Sequence, residues 1–338
     1  MIINNFLIIP ILVSFCVTLC LLPYWIKKAK EIGLLWEDMN KFAKGKVSGS
    51  GGIMVSLGFV MGTLSYVAYR VFFLPNHNGS LVEIFSLLTV ILILGSVGFI
   101  DDLLGWRKGG LSRRSRLFLV AMAAIPLVVI NAGKSSITLP LWGSIDIGLL
   151  YPLILIPIGV MGATTTYNFL AGFNGLEAGN GIILLFSLAI VSFFTGNSWL
   201  SIIALCMCAS LLAFLFFNFS PAKVFPGDSL TYSVGGLIAA MSILGNFEKI
   251  AIFFFIPYVL ETLLKGRGKL KKYSFGKAME DGTLDLNYDK IYSLNHLSIY
   301  LMQRAGIKPT ERKVVVSLWA FQIIIIIIGF LTVGRGIL

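Results

Sequence analysis

The chain has 338 residues, of which 57% are hydrophobic and only 13% are charged, and its mean hydropathy is +0.89. Charged residues average about a quarter of a soluble chain, so the composition excludes a soluble globular protein and predicts an all-α polytopic integral membrane protein. The net charge of +11 does not indicate nucleic-acid binding, because basic residues of membrane proteins collect in cytoplasmic loops.

Ten apolar stretches are predicted to form transmembrane helices. They cover residues 5–26, 51–74, 81–101, 117–131, 149–168, 179–195, 199–218, 230–246, 249–264 and 314–333. The first lacks the small-residue cleavage site of a signal peptide and is predicted to be retained. The ninth contains Pro257, which predicts a kink or the mouth of that helix. We predict a single transmembrane domain that covers residues 1–338.

The charges predict the orientation of this domain. Ten spans put both termini on one side, and if that side is outside, 23 of the 27 lysines and arginines face the cytoplasm. This distribution is typical of the positive-inside rule, and many of these residues lie in a basic loop at 265–312. Of the 16 aspartates and glutamates, 13 lie on the same face. The positive-inside rule does not explain this, because it gives acidic residues little weight in setting topology. A cytoplasmic site that needs carboxylates would explain their position.

The first of four unusual loops on this face covers residues 33–41, followed by a glycine-rich segment at 46–52. Glycine-rich backbone at the start of a helix can present free N–H groups to an anion. The alternative is a flexible connection into the second span, and the segment taken alone favours that alternative.

The second loop begins with Asp101 and Asp102, which end an apolar run, and a basic segment up to Arg116 follows. Ionised acids at the edge of hydrocarbon are costly and often mark function. At the C-terminal end of a helix they are also disfavoured by the dipole, so we expect a cationic partner, either the arginines or a metal ion. The alternative is two solvated acids at a helix end.

The third loop lies between the fifth and sixth spans and is rich in glycine and amides, including Asn168, Asn174 and Asn180. An amide both donates and accepts hydrogen bonds, which suits the edge of a nucleobase or a metal-bound phosphate. The alternative is turn chemistry, because Asn and Gly are the usual residues of turns.

The fourth loop, residues 218–229, contains Lys223, Phe225 and Asp228. A lysine, an aromatic ring and a carboxylate suit a phosphate, a base and a divalent cation. The alternative interpretation of Asp228 is an N-cap of the helix that follows it.

Together, the four loops predict a site for phosphoryl transfer. Mg²⁺ prefers hard oxygen ligands, usually one or two carboxylates plus substrate phosphates, and Asp101, Asp102, Asn168 and Asp228 can supply the protein's share. The basic side chains can supply counter-charge to the transferring group. The chain has only two histidines, so zinc chemistry or a histidine base is not expected.

Residues 168–177 read NFLAGFNGLE and residues 224–228 read VFPGD. In these motifs, and over nearly its whole length, the chain resembles the polyprenyl-phosphate N-acetylhexosamine-1-phosphate transferases. The resemblance is to the archaeal and eukaryotic branch, the UDP-GlcNAc:dolichyl-phosphate GlcNAc-1-phosphotransferases. It implies Mg²⁺-dependent transfer of GlcNAc-1-phosphate from UDP-GlcNAc to a membrane polyprenyl or dolichyl phosphate. UMP is released in this first step of lipid-linked oligosaccharide assembly for N-glycosylation.

The resemblance also implies roles for individual residues. Asp228 is expected to be the principal ligand of Mg²⁺, with Mn²⁺ as an alternative ion, and Asn168 is expected beside the metal and diphosphate. The implied substrate-binding residues are Asn168, Gly172, Asn174, Glu177, Lys223, Phe225 and Arg267, of which Gly172, Asn174 and Phe225 would hold the uracil. The implied catalytic residues are Asp101, Asp102 and Arg116.

Two positions depart from the family pattern. Arg116 stands where the family has a lysine, which keeps the charge but changes the geometry. Ser48 and Gly49 stand where the branch tends to have Pro-Glu, so one contact with the donor is expected to be missing.

The resemblance implies UDP-GlcNAc, a polyprenyl or dolichyl phosphate and the bilayer as partners, and it allows a homodimer. The location would be the cell membrane of an archaeon or the endoplasmic reticulum membrane of a eukaryote, with the active site facing the cytoplasm.

One alternative within the family is a transferase that uses undecaprenyl phosphate or another UDP-sugar. A transporter is an alternative of a different class, although the acids here lie at helix ends rather than at the midplane.

Overall fold

The computed structural model describes residues 5–73, 79–134, 136–139 and 143–334. In these ranges the α-helices are α1 (Ile8–Ile32), α2 (Gly52–Phe73), α3 (Leu81–Lys108), α4 (Arg113–Met122), α5 (Ile125–Val129), α6 (Ile156–Phe169), α7 (Leu176–Phe194), α8 (Ser198–Asn218), α9 (Gly227–Gly245), α10 (Glu248–Phe254), α11 (Ile256–Arg267), α12 (Leu294–Arg304) and α13 (Glu311–Thr332). A short 3₁₀ helix (Asn5–Leu7) and a π-helix (Tyr151–Leu155) precede α1 and α6. Three antiparallel hairpins pair β1 (Leu35–Glu37) with β2 (Lys46–Ser48), β3 (Ser136–Leu139) with β4 (Gly143–Asp146), and β5 (Lys277–Ala278) with β6 (Leu284–Asp285).

Six of these helices, α1, α2, α3, α7, α8 and α13, are long and apolar enough to cross a membrane. The prediction of an all-α integral membrane protein is therefore confirmed. The other four predicted spans also fall on helical segments, namely α4 with α5, the π-helix with α6, α9, and α10 with α11. The count of about ten transmembrane helices and the side of the termini stay predictions.

Two of the predicted spans, the ninth and the third, differ in detail from the helices. α10 ends at Phe254 and α11 begins at Ile256, with Pro257 in its first turn, so the ninth span is interrupted where the proline was expected to act. α3 continues beyond Asp102 to Lys108. The prediction that Asp101 and Asp102 end a helix is therefore wrong, because both lie inside it.

α9 is the central helix of the bundle, and 16 of its 19 residues are buried. It packs against α3 on one side and α6 on another, and small residues allow the backbones to approach closely. A Cβ atom on Gly98 of α3 would lie 2.5 Å from the carbonyl carbon of Asp228, and one on Gly235 would lie 2.8 Å from the Cα of Thr164 in α6. The packing therefore fixes the height of α9 relative to both neighbours.

The glycine-rich segment before α2 is held by the loop that precedes α9. The N–H of Phe225 donates to the carbonyl of Ser48 at 2.7 Å, and the N–H groups of Gly51 and Gly52 donate to the carbonyls of Phe225 and Pro226, both at 2.9 Å. These donors are occupied, so the interpretation of Gly51 and Gly52 as anion-binding donors is wrong. The segment is also not a flexible connection, because β2 pairs with β1 immediately before it.

The basic loop at 265–312 folds back against the bundle. Glu261 in α11 is fully buried, and its Oε2 accepts hydrogen bonds from the N–H of Leu294 at 2.6 Å and the hydroxyl of Ser293 at 3.2 Å. This carboxylate fixes the start of α12. The amide of Asn295 then donates to the carbonyls of Ala171 and Ser274, each at 3.4 Å, which ties the loop to the segment between α6 and α7.

The close approach of α3 and α9 predicts that Gly98→Ala destabilises the protein. The new methyl group would overlap the backbone of Asp228, and overpacking of this kind costs about 1–3 kcal/mol. Thermal unfolding of the purified protein in detergent should show a lower midpoint. Gly159→Ala in α6 is the matched control, since a Cβ there meets no atom within 4 Å and alanine favours the helix. An unchanged midpoint for Gly98→Ala would contradict the packing described above.

Candidate active site

A cavity of about 710 Å³ lies at the end of the bundle where α9 begins. Its walls come from the β1–β2 hairpin, α3, the loop between α6 and α7, the start of α9 and the basic loop. It brings together seven of the residues that the sequence predicted: Asp102, Asn168, Gly172, Asn174, Glu177, Phe225 and Asp228. All four unusual loops, the first of them folded as the β1–β2 hairpin, thus meet in one place.

Asp102 holds the first turn of α9. Its Oδ1 accepts a hydrogen bond from the N–H of Asp228 at 2.8 Å, and its Oδ2 accepts one from the N–H of Ser229 at 3.4 Å. The N-cap residue of α9 is Pro226, which makes no side-chain cap, so a carboxylate from α3 takes over that function. The interpretation of Asp228 as the N-cap is therefore wrong. Gly227 (φ +69°) is required here, because a Cβ would lie 2.2 Å from Oδ2 of Asp102.

Asp101 has a different set of partners. It is 3% exposed and does not line the cavity, and its Oδ1 accepts a hydrogen bond from the N–H of Leu111 at 2.6 Å. Its Oδ2 lies 2.7 Å from Nη2 of Arg116, whose Nη1 lies 3.9 Å from Oδ2 of Asp228. An arginine is thus a cationic partner of the acids, as predicted. Asp101 positions Arg116, and Arg116 reaches the carboxylate at the cavity wall.

Asp228 and Asn168 form the oxygen-rich part of the wall. The Nδ2 of Asn168 donates to Oδ1 of Asp228 at 3.2 Å, and no described residue contacts the Oδ1 of Asn168 as a hydrogen-bond donor. Across the described ranges, no group of three or more His, Cys, Asp and Glu side chains could hold a metal ion. Mg²⁺ needs only one or two carboxylates when substrate phosphates complete its shell, so the carboxylate of Asp228, with the amide oxygen of Asn168 as a further oxygen of that residue pair, fits this ion.

Gly172 is clamped between two polar side chains. Its N–H donates to Oε1 of the buried Glu177 at 2.9 Å, and its carbonyl accepts from Nδ2 of Asn40 at 2.7 Å. The Oδ1 of Asn40 accepts from the N–H of Gly276 at 3.2 Å, so this side chain connects the first hairpin, the third loop and the basic loop. Glycine is needed at 172, because φ is +100° and a Cβ would meet the ring of Phe275 at 2.8 Å.

Asn174 is held by two acids that the sequence did not single out. Its side-chain Nδ2 donates to Oδ2 of Asp38 at 2.8 Å and to Oε2 of Glu311 at 3.3 Å, and its N–H donates to Oε1 of Glu311 at 3.0 Å. Burial raises the pKa of Asp38, and the hydrogen bond from Asn174 opposes that rise. Asp38 lies in a loop that was singled out as a whole, whereas Glu311 carries no local signal beyond its place in the first turn of α13.

Two of the predicted substrate-binding residues lie outside the cavity wall. Lys223 and Arg267 are both exposed, and the guanidinium of Arg267 lies 5.9 Å from the ring centroid of Tyr292. Their roles in substrate binding stay predictions.

Gly49 stands where the related branch tends to have a glutamate, and a Cβ on Gly49 would lie 2.6 Å from Cδ1 of Trp36. Trp36 lines the cavity, so its indole occupies the space that a larger residue at 49 would need.

Comparison with known proteins places this geometry in a family. A model of glycosyl transferase family 4 matches residues 84–246, the segment that holds Asp101, Arg116, Asn168 and Asp228. A protein of Sulfolobus acidocaldarius is 32% identical over 325 residues, which cover 96% of this chain and 95% of the relative. The chain belongs to this family of polyprenyl-phosphate N-acetylhexosamine-1-phosphate transferases.

The relatives carry related names. The Sulfolobus protein is provisionally named UDP-N-acetylglucosamine–dolichyl-phosphate N-acetylglucosaminephosphotransferase. A protein of Dictyostelium discoideum with that name is 29% identical over 72% of this chain and 67% of its own. A phospho-N-acetylmuramoyl-pentapeptide-transferase of Halalkalibacterium halodurans is 31% identical over 76% of this chain and 80% of its own. The matches to the two dolichyl-phosphate enzymes agree with the branch that the motifs at 168–177 and 224–228 indicated.

The contacts of Asp102 predict that Asp102→Asn destabilises the start of α9. An asparagine can offer only one oxygen, and its amide would place a donor against the N–H of Asp228 or Ser229. An unmet buried donor costs about 1–3 kcal/mol, so the thermal midpoint in detergent should fall. Asp289→Asn, an exposed acid in the basic loop, is the control for loss of charge. Equal midpoints for the two variants would mean that Asp102 does not hold α9.

Proposed function

We propose that this protein transfers GlcNAc-1-phosphate from UDP-GlcNAc to a polyprenyl phosphate of the dolichyl type, with release of UMP. The observation that carries the proposal is the position of Asp228, between Asn168 and Arg116 at the wall of one cavity. The named relatives, which match nearly the whole chain, support the same activity.

In the proposed reaction, an oxygen of the polyprenyl phosphate attacks the β-phosphorus of UDP-GlcNAc. A P–O bond forms to the lipid phosphate, the P–O bond to the α-phosphate breaks, and UMP leaves with that oxygen. A phosphomonoester has a second pKa near 6, so the attacking oxygen is largely deprotonated at neutral pH without a general base. Positioning and charge compensation then become the main tasks of the protein.

The chain's own residues divide these tasks. Arg116 would face the negative charge of the diphosphate, and Asp101 keeps its guanidinium in place through the 2.7 Å ion pair. Asp102 keeps the first turn of α9 fixed, so that the carboxylate of Asp228 stays at the wall. Asp228 and Asn168 would hold Mg²⁺, which when bound would neutralise charge on the phosphates. Asn174 and Phe225, which also line the cavity, would hold the uracil.

The membrane supplies the second substrate. The proposal puts the cavity end of the bundle on the cytoplasmic side, in agreement with the 23 basic residues predicted there. The product, a polyprenyl diphosphate that carries GlcNAc, stays in the bilayer through its apolar chain. The location would be the cell membrane of an archaeon or the endoplasmic reticulum membrane of a eukaryote.

The direct test is incubation of the purified protein with UDP-GlcNAc labelled in the sugar, dolichyl phosphate and Mg²⁺. We expect labelled lipid and UMP in equal amounts, and loss of both when a chelator removes the metal. Asp228→Asn, which keeps the shape of the side chain but removes its charge, should lower kcat by at least about a hundredfold. Formation of labelled lipid with undecaprenyl phosphate or another UDP-sugar, but not with this pair, would change the assigned substrates. No labelled lipid with any pair would refute the proposal.

Arg116 is predicted to act through the fork of its guanidinium. Its two terminal nitrogens lie 2.7 Å from an oxygen of Asp101 and 3.9 Å from an oxygen of Asp228, and a lysine presents one point charge instead. Arg116→Lys should therefore lower kcat/KM by about tenfold and Arg116→Ala by about a hundredfold or more. Arg114→Ala, an exposed arginine two residues away, serves as the control. Wild-type kcat/KM in Arg116→Lys would contradict the prediction, because it would show that a point charge at 116 is enough.

A further inference from the structure

The side chain of Asn174 lies between the cavity and a pair of carboxylates. The residue is 4% exposed and lines the cavity, in the loop between α6 and α7. Both hydrogens of its amide nitrogen are used, one toward Oδ2 of Asp38 at 2.8 Å and one toward Oε2 of Glu311 at 3.3 Å. Its backbone N–H donates to the other oxygen of Glu311 at 3.0 Å. Glu311 thus holds both the backbone and the side-chain amide of Asn174.

The two acids are themselves fixed. Oε2 of Glu311 also accepts from the ammonium of Lys41 at 2.5 Å and from the hydroxyl of Ser220 at 2.9 Å. Glu311 is 3% exposed and lies in the first turn of α13, where the helix dipole favours a negative charge. The Oδ1 of Asp38 accepts from the N–H of Asn40 at 3.3 Å. Neither carboxylate is therefore free to turn away from Asn174.

This arrangement permits only one orientation of the amide of Asn174. Ionised carboxylates accept hydrogen bonds and cannot donate them, so a flipped amide would put its oxygen against two acceptors. Such a flip would lose two charge-assisted hydrogen bonds and add repulsion between lone pairs. The carbonyl oxygen, Oδ1, must therefore point away from Asp38 and Glu311. None of the hydrogen bonds of Asn174 with described residues uses this oxygen, and the residue lines the cavity.

A fixed acceptor at the wall discriminates between pyrimidines. The N3 position of uracil carries a hydrogen and donates, whereas N3 of cytosine carries a lone pair and accepts. A base placed with N3 toward Oδ1 of Asn174 would gain a hydrogen bond if it were uracil and meet repulsion if it were cytosine. A site built around a hydrogen bond of this kind rejects the analogue that cannot make it, because the buried polar group is then left unpaired.

We propose that Asp38 and Glu311 are positioning residues that fix the carbonyl oxygen of Asn174 toward the cavity, and that this acceptor makes the site selective for uracil over cytosine nucleotides. The proposal rests on the proposed function, in which Asn174 holds the base. Asp38 and Glu311 then belong to the site, and Oδ1 is the atom of Asn174 that faces the ligand. Position 311 lies 137 residues from Asn174 along the chain, so the last described helix takes part in base selection.

The test measures binding of UMP and CMP by isothermal titration calorimetry with the purified protein in detergent. For the wild-type protein we expect UMP to bind at least about tenfold more tightly than CMP. The double variant Asp38→Asn, Glu311→Gln keeps the shapes of both side chains but lets them donate as well as accept. The amide of Asn174 can then turn, and the preference for UMP should fall by about tenfold. The control is Glu280→Gln with Asp289→Asn, two exposed acids of the basic loop that remove the same charge.

A purely structural role for the acids gives a different result. Equal weakening of UMP and CMP binding in the double variant, with an unchanged ratio, would overturn the proposal. Asn174→Ala provides a second route if the double variant does not fold, because it removes the acceptor and leaves both acids in place. It should weaken UMP binding and leave CMP binding nearly unchanged, and an unchanged ratio in this variant would also overturn the proposal. Binding is measured without turnover, so a selective protein that makes no lipid product would refute the proposed function alone.

Discussion

The contact between Asp102 and the first turn of α9 is the constraint on which the site depends. α9 is buried along nearly its whole length, and its cap residue is a proline that makes no side-chain cap. A carboxylate from α3 binds the N–H groups of Asp228 and Ser229 instead, so the two helices are joined at the height where the cavity begins. Because the same turn carries the carboxylate of Asp228, the hydrogen bonds that hold the start of the helix also set the position of the acid that faces the cavity.

Among the side chains that the structure describes, acids outnumber cations around this contact. Asp101, Asp102 and Asp228 lie near one guanidinium, that of Arg116, and the dipole of α9 compensates only about half a charge at Asp102. A diphosphate would bring further negative charge into this region. Under the proposed function, a divalent cation held by Asp228 would supply additional positive charge. The excess of acids supports that part of the proposal on physical grounds.

The sequence predicted the parts of the site that depend on local pattern. The apolar segments, the polar loops between them and the pairing of acids with an arginine all follow from residues close together in the chain. The network around Asn174 could not be predicted in this way, because Asp38 and Glu311 are 136 and 137 residues away. The same holds for Gly51 and Gly52, whose N–H groups bind the carbonyls of Phe225 and Pro226, an outcome that neither interpretation of the glycine-rich segment contained. Long-range docking of one loop on another decides which polar groups remain available to a ligand.

Asp101 and Asp102 illustrate why adjacent acids in a membrane helix need not share a role. Successive residues of an α-helix differ by about 100° around its axis, so neighbours in sequence do not face the same partner. Asp101 faces Leu111 and Arg116, whereas Asp102 faces the start of α9. Had the helix ended at the pair, both side chains could have turned toward one ion. Since α3 continues to Lys108, its backbone holds them apart, and each acid positions a different element of the same site.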